Sequence, residues 1–337
     1  MSDQTNRVTS LLGERNVLLA DGATGTNLFD MGLQSGDAPE LWNEHHPDRI
    51  AALHRSFVEA GADIILTNSF GGTRHRLKLH HAQDRVRDLN EKAARIARDV
   101  ADAADRTIIV AGSVGPTGEL LVPLGELTYD AAVVAFSEQI EGLIAGGADV
   151  VWVETMSATE EIAAALEAAR KHDVPAVVTA SFDTAGRTMM GLTPAQMAEA
   201  TEGAVAYGAN CGVGASDILA TLLGMSEARG DDRPIVVKGN CGIPQFQGTE
   251  IVYSGTPEQM AEYARLAIDA GARIIGGCCG TTAEHLRAMR RAIDEHRVGD
   301  APSLAVIEQR VGSFVNALPT ATAERPARRG RRARPAA

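Results

Sequence analysis

Residues 272–284 read Ala-Arg-Ile-Ile-Gly-Gly-Cys-Cys-Gly-Thr-Thr-Ala-Glu. The apolar pair Ile274-Ile275 runs into glycines that surround two adjacent cysteines. Thr281, with Glu284 three residues later, then has the form of a capping box that opens a helix. The stretch reads as a buried strand handing over to a helix, with two thiols at the handover.

The same unit recurs upstream. Short apolar runs at 17–20, 64–66, 107–111, 149–153, 176–180, 205–210 and 235–238 precede the one at 272–276. Helical patterns follow at 47–60, 84–104, 129–145, from Ser157 to His172, from Thr193-Pro194, at 215–229 and from Thr256-Pro257. Ser157 with Glu160, and Thr256 with Gln259, are read as capping boxes, and Pro at the first helical position suits Pro194 and Pro257. The strands are continuous apolar runs, as expected where both sheet faces are buried. Eight strand–helix units across this length predict an α/β fold, a closed (β/α)8 TIM barrel. A doubly wound open sheet is the competing arrangement. Gly112-Ser113-Val114-Gly115 lacks the remaining glycine of a dinucleotide fingerprint.

The chain has 337 residues, four cysteines and a formal charge of −12. Sparse cysteine without a secretory framework points to a reducing, cytoplasmic setting. The acidic balance disfavours nucleic acid. No run of 18 apolar residues suggests a membrane span, and no signal-peptide pattern opens the chain. Aromatic residues make up only 4%, which leaves a core of Ala, Val, Ile and Leu. Residues 1–14 read as a polar lead-in. Residues 1–300 are expected to form the barrel. Residues 301–337 are expected to form a C-terminal arm, with a short helix in Val306–Val315, and a disordered Arg/Pro/Ala-rich tail that carries Arg325, Arg328, Arg329, Arg331, Arg332 and Arg334.

In a barrel, chemistry sits where strands end. Asp21, Asn68, Glu154, Asp183, Cys211, Cys241, Cys278 and Cys279 all fall at such ends. Strands six and eight flank strand seven, so Cys211, Cys278 and Cys279 can converge. Neighbours on a regular strand point to opposite faces, so Cys278 and Cys279 need a turn, which Gly276, Gly277 and Gly280 permit. A donor set of three thiolates favours Zn²⁺ and leaves one tetrahedral position open. A substrate thiol taken there would lose its proton and attack an activated carbon such as an onium methyl group. Two other readings stay open: the cysteines as small buried hydrophobes, and a closed structural site that recruits Cys241.

The segments Asp21-Gly22-Ala23-Thr24-Gly25-Thr26, Thr67-Asn68-Ser69-Phe70, Gly112-Ser113-Val114-Gly115-Pro116-Thr117-Gly118, Glu154-Thr155, Gly208-Ala209-Asn210-Cys211 and Gly276-Gly277-Cys278-Cys279-Gly280 resemble the homocysteine S-methyltransferase family over residues 11–296. That family includes betaine–homocysteine methyltransferases and the homocysteine module of cobalamin-dependent methionine synthase. The resemblance implies a zinc barrel, with Cys211, Cys278 and Cys279 as ligands and catalytic centre, that methylates homocysteine to methionine. It implies that Asp21 and Glu154 hold the substrate ammonium. Ser181, Phe182 or Asn210 would receive the substrate carboxylate, and Trp42 would face the methyl donor. An onium donor, betaine first, is expected. Gly71 and Thr155 stand where betaine enzymes tend to carry tyrosines, and Cys241 stands where the family more often has alanine. The alternatives are a subunit that takes its methyl group from a separate corrinoid protein, and a non-catalytic zinc-bound barrel with a regulatory or assembly role. A homo-oligomer is left open.

Overall fold

The computed structural model describes residues 6–247 and 250–316, with the backbone alone at 244–247 and 250–252. The arginine-rich stretch 325–334 lies outside the described residues. Eight parallel strands form the barrel: β1 (Leu18–Leu19), β2 (Ile64–Leu66), β3 (Ile109–Val114), β4 (Val150–Met156), β5 (Ala176–Ala180), β6 (Ala206–Cys211), β7 (Ile235–Gly239) and β10 (Ala272–Gly277). They pair in the order β1-β10-β7-β6-β5-β4-β3-β2. A parallel bridge between Ala20 and Ile64 joins the two ends and closes the sheet. The expected (β/α)8 barrel is therefore the fold, and the open sheet is excluded.

Burial explains why each strand reads as a continuous apolar run. Leu18, Ile64, Ile109, Val150, Trp152, Val177, Val236 and Ile274 pack inside the barrel. Their neighbours Leu19, Ile65, Val110, Val151, Val153, Val178, Val237 and Ile275 pack outward against the helices. The alternation is the period-two pleat of a strand buried on both faces.

Several local expectations change. Residues 7–14 form a helix capped by Asn6, whose side chain accepts from Thr9 N. Its Val8, Leu11 and Leu12 join the barrel-interior cluster and plug its floor. The spacing is one helical face, too short to stand out among polar neighbours. The last barrel helix, Ala283–Glu295, starts one residue later than expected: Thr282 is the cap, and His285 completes the box. The helix Thr159–Lys171 starts after Ala158 with no side-chain cap, so Ser157 and Glu160 make no capping box. After β5, Thr193 and Gln196 do form a box, but it opens only a 3-10 turn (Pro194–Gln196) and one helical turn (Met197–Ala200). The loop after β7 adds an unforeseen antiparallel hairpin, β8 (Pro244–Gln247) and β9 (Glu250–Tyr253).

The C-terminal arm forms the helix Leu304–Val311. Ile307 and Val311 enter the main core, and both oxygens of Asp217 accept from Val315 N and Asn316 N at 2.9 Å.

Candidate metal centre and barrel mouth

The inward pleat carries the site. Counting in twos from Val236, Trp152, Ile274 and Ile109 brings Lys238, Glu154, Cys278 and Ser113 to the interior end of their strands. Trp152 is fully buried and closes the space beneath them, with its Nε1 donating to Thr179 Oγ1 at 3.3 Å.

The thiols of Cys211, Cys278 and Cys279 lie within 4.8 Å of one another. Backbone geometry makes this convergence. Cys211 ends β6 in the left-handed region at φ 63°, which swings its side chain off the strand's alternation. Cys278 N donates to Gly239 O at 2.7 Å, and Cys279 N to Asn240 Oδ1 at 3.0 Å. Asn240 Nδ2 donates to Gly212 O at 2.7 Å, so one buried amide ties the loop after Cys211 to the loop that bears Cys279. Cys241 is buried outside this group; its N–H donates to Cys279 O at 2.9 Å, and burial pushes its thiol up to about 12.

The thiols crowd one another. Hydrogen bonds with Cys278 and Cys279 and then burial drive the Cys211 thiol upward. Hydrogen bonds from Cys211 and Cys278 hold the Cys279 thiol well below the usual range, with help from Tyr253. Three thiolates at this spacing need a cation among them. Tetrahedral Zn–S geometry places sulfurs about 3.8 Å apart, so this donor set fits a soft divalent ion.

Beside the thiols stands a charged group. Lys238 Nζ donates to Asp21 Oδ1 at 2.7 Å, and the side chains are only 3% and 1% exposed. Leu66 N donates to Asp21 Oδ2 at 2.7 Å. Burial raises the Asp21 carboxyl, against the pull of Lys238. Glu154 accepts from Ser113 Oγ through Oε1. Burial pushes it up to about 7, opposed first by Lys238. Burial works against the charge of Lys238, but Asp21 and Glu154 more than offset it and its pKa stands above that of an ordinary lysine.

The other expected residues divide. Asn210 belongs to the mouth: Thr155 N donates to its Oδ1 at 2.8 Å, and its Nδ2 donates to Thr155 Oγ1 at 2.7 Å and reaches Cys278 Sγ at 3.9 Å. Ser181 follows the last residue of β5; its N donates to Met156 O, and its Oγ reaches Asp183 Oδ2 at 3.3 Å. Phe182 is buried and also lines an outer cavity of about 450 Å³ with Thr193, Pro194 and Asn316. Trp42 is buried in the main core, edge-on to His46 at 4.7 Å, and the Arg49 guanidinium lies over its ring at 5.1 Å. The sequence reading missed Lys238, Ser113 and Asn240. The period-two count from Val236 and from Ile109 was the available signal for the first two.

The homocysteine S-methyltransferase family model matches residues 18–293. The chain is 32% identical over 329 residues to methionine synthase of Mycobacterium leprae, and 32% identical over 330 residues to that of Mycobacterium tuberculosis. Each match covers 91% of the chain and 27% of the relative, so the chain spans about a quarter of the length of these relatives. Among solved structures, the oxidized form of the homocysteine methyltransferase MmuM from Escherichia coli superposes with a TM-score of 0.71 at 27% identity, covering 85% of this chain and 99% of that one. Its metallated form gives 0.70 at 26% identity, with the same coverage.

Proposed function

The chain belongs to the homocysteine S-methyltransferase family, and from that premise we propose that it transfers a methyl group from an onium donor, betaine first, to the sulfur of L-homocysteine, giving methionine. The observation that carries this reading is the cluster of three thiols within 4.8 Å beside the buried Asp21 and the half-buried Glu154.

Cys211, Cys278 and Cys279 would hold Zn²⁺. Bound there, zinc would lower the thiol pKa of homocysteine and present it as a reactive thiolate near neutral pH. The rest falls to side chains. Glu154, with Asp21 behind it, takes the substrate ammonium through a charge-assisted bond. Asn210 holds Thr155 N and so fixes the end of β4 that carries Glu154. The backbone near Ser181 and Phe182 receives the carboxylate. Trp152 seals the floor and keeps water from below the reacting sulfur. The homocysteine sulfur gives up its proton to solvent at the mouth and forms the new S–CH3 bond. The donor's heteroatom–CH3 bond breaks, and its electron pair stays on a neutral amine or sulfide. Trp42 is the proposed donor-side aromatic. To meet an onium methyl group by cation–π contact, its ring must shed Arg49.

A second reading takes the methyl group from a separate corrinoid protein. Leu120, Val122 and Leu124 on the loop after β3, with Met189 on the loop after β5, leave large apolar side chains exposed on the mouth side. Such a surface suits a protein-borne donor better than a small solute. Residues 1–300 would serve as the catalytic unit, with residues 301–337 as an arm whose helix Leu304–Val311 packs on it through Ile307 and Val311.

The test is methionine formation by zinc-loaded protein with homocysteine and, in turn, glycine betaine, dimethylsulfoniopropionate, S-methylmethionine and methylcobalamin. Turnover with a free onium donor supports the first reading. Turnover with methylcobalamin alone, or no turnover with any free donor while homocysteine still perturbs the bound metal, supports the second. Absence of methionine with every donor, and of any homocysteine effect on the bound metal, rejects both.

A further inference from the structure

On the rim formed by the loops after β1, β2 and β3, an acid and a cation stand within reach of one another's field without pairing. We propose that Glu40 and Arg76 are the two poles of a receptor for a zwitterionic methyl donor, with Glu40 facing its onium group and Arg76 its carboxylate. The inference rests on the proposed methyl transfer and narrows its donor to a molecule that carries both charges.

Glu40 is held by main chain on two sides. It sits in the 3-10 turn Pro39–Leu41 and is 5% exposed. Asn68 Nδ2, just past β2, donates to Pro39 O at 2.7 Å and pins that turn. Gly71 N donates to Glu40 Oε1 at 2.6 Å. A Cβ at Gly71 would stand 2.9 Å from the same oxygen, so the missing side chain is what lets the carboxylate lie across the loop. A buried carboxylate is costly without a cation beside it. Burial raises the Glu40 carboxyl, opposed by its backbone hydrogen bonds and then by Arg76 and His80. Among the described residues no cation pairs with it within 4.0 Å.

Arg76 stands on the helix Arg74–Leu77, whose cap Thr73 accepts from the Arg76 N–H. Its guanidinium leans on the loop after β3: a Cβ at Gly118 would lie 3.2 Å from Nη1. Its neighbour Arg74 pairs with Glu138 at 2.8 Å, whereas Arg76 makes no ion pair among the described residues. Residues 74–81 hold three Lys or Arg, three His and no acid, in a chain of net charge −12. This part of the rim is a local positive field that draws a carboxylate.

Phe70 lies between the two poles in the chain order of the loops. It is 39% exposed, and its ring covers Gly115, where a Cβ would stand 2.6 Å from Cε2. It offers an onium group an open aromatic surface, which the Trp42 ring under Arg49 does not. The strand β1 pairs with β10, which leads into Cys278 and Cys279, so this sector adjoins the thiols. The onium charge disappears as the methyl group leaves. Glu40 therefore favours the bound donor over the neutral product, and its contribution is to binding rather than to rate.

The experiment titrates zinc-loaded wild type, Glu40→Gln and Arg76→Gln calorimetrically with three probes, each with and without L-homoserine as an oxygen analogue of homocysteine. The probes are glycine betaine, tert-butylacetate, which lacks the positive charge, and tetramethylammonium, which lacks the carboxylate. Wild type is expected to prefer betaine to tert-butylacetate by about tenfold, as for a charge-assisted contact at a buried acid. It should prefer betaine to tetramethylammonium by about fivefold, the smaller figure reflecting the exposure of Arg76. Glu40→Gln keeps an acceptor for Gly71 N and should lose the first preference alone. Arg76→Gln should lose the second alone. That crossed pattern supports the inference. A structural role for either residue would weaken all three probes together, and that result, or a wild type without both preferences, overturns it. Arg76 is exposed, so Arg76→Gln carries the test by itself where Glu40→Gln does not fold: loss of the second preference with the first kept supports the inference, and any other result overturns it. Methionine formation is measured alongside. Turnover with betaine but without the crossed pattern overturns this inference and leaves the methyl transfer intact. The crossed pattern without methionine from any donor rejects the transfer and leaves the two poles as a binding site.

Discussion

Asn210 and Thr155 exchange two hydrogen bonds across the barrel mouth, N–H to Oδ1 at 2.8 Å and Nδ2–H to Oγ1 at 2.7 Å. The pair joins the end of β6 beside Cys211 to the end of β4 beside Glu154. Thr155 needs that support, because its φ of 61° lies in the left-handed region that a β-branched residue avoids. Asn210→Ala strips both bonds and leaves a backbone N–H in a poorly solvated place. The expected cost is about 1–3 kcal/mol in urea unfolding, with homocysteine KM raised about tenfold and metal content unchanged. Loss of metal with KM unaltered would assign Asn210 to the thiol cluster instead.

The proposed role of Glu154 predicts pH-dependent homocysteine binding. Its carboxyl is pushed up to about 7, so it is largely protonated at pH 6 and largely ionised at pH 8. An ammonium binds the ionised form, so homocysteine KM should fall about tenfold as pH rises from 6 to 8. Glu154→Gln should raise KM and flatten that dependence. A Gln variant that keeps the wild-type slope places the titrating group elsewhere.

The thiol cluster predicts a separation of metal from fold. Cys211→Ala, Cys278→Ala and Cys279→Ala each remove one of three sulfurs that lie within 4.8 Å of one another. Each should abolish turnover and lower zinc content well below one per chain, while far-UV circular dichroism stays that of wild type. Cys241→Ala should retain zinc, since Cys241 stands outside the group. Full zinc occupancy in all three ligand variants would reject the assignment.

The barrel was legible because each strand is buried on both faces and so reads as an apolar run. The thiols were legible because glycines mark where a strand ends and a loop turns. Helix starts were less legible. Thr281 and Thr282 are equivalent as letters, and only the position of His285 Nδ1, 2.9 Å from Thr282 Oγ1, selects the second. At Ser157, the carbonyl accepts from Thr188 Oγ1 and the helix begins two residues later. Lys238 escaped because a lysine at a strand end reads as an exit to solvent. Its burial depends on Asp21, 217 residues away in the chain. Trp42 has the residue type of a donor-side aromatic, but the Arg49 contact on its ring is a tertiary fact.

Asp63 closes the opposite end of the barrel. Its fully buried carboxylate accepts from Leu19 N at 2.9 Å and pairs with Arg15 at 2.6 Å, Arg290 at 3.1 Å and Arg106 at 3.3 Å. Asp63→Ala leaves three guanidiniums facing one another around an unfilled position. Removing one partner from a buried ion pair costs about 3–5 kcal/mol, and urea unfolding should read a loss of that size with no change in zinc affinity of the folded fraction. A loss under about 1 kcal/mol would mean that solvent already screens the cluster.

His54 predicts an acid limit to stability that is independent of the site. It is 1% exposed on the helix Pro47–Glu59, and among the described residues neither ring nitrogen has a hydrogen-bond partner. Burial lowers its pKa from 6.5 to about 4. Between those values the unfolded chain binds a proton that the folded chain refuses, so stability is retained above pH 6.5 and declines as pH falls towards 4. The share lost by pH 5 is about 2 kcal/mol. His54→Leu keeps an apolar side chain of similar reach and has nothing to protonate. Urea titrations at pH 7.5 and pH 5 should show the variant losing about 2 kcal/mol less than wild type over that interval. Equal losses in the two proteins would mean that His54 finds a partner or a proton inside the fold.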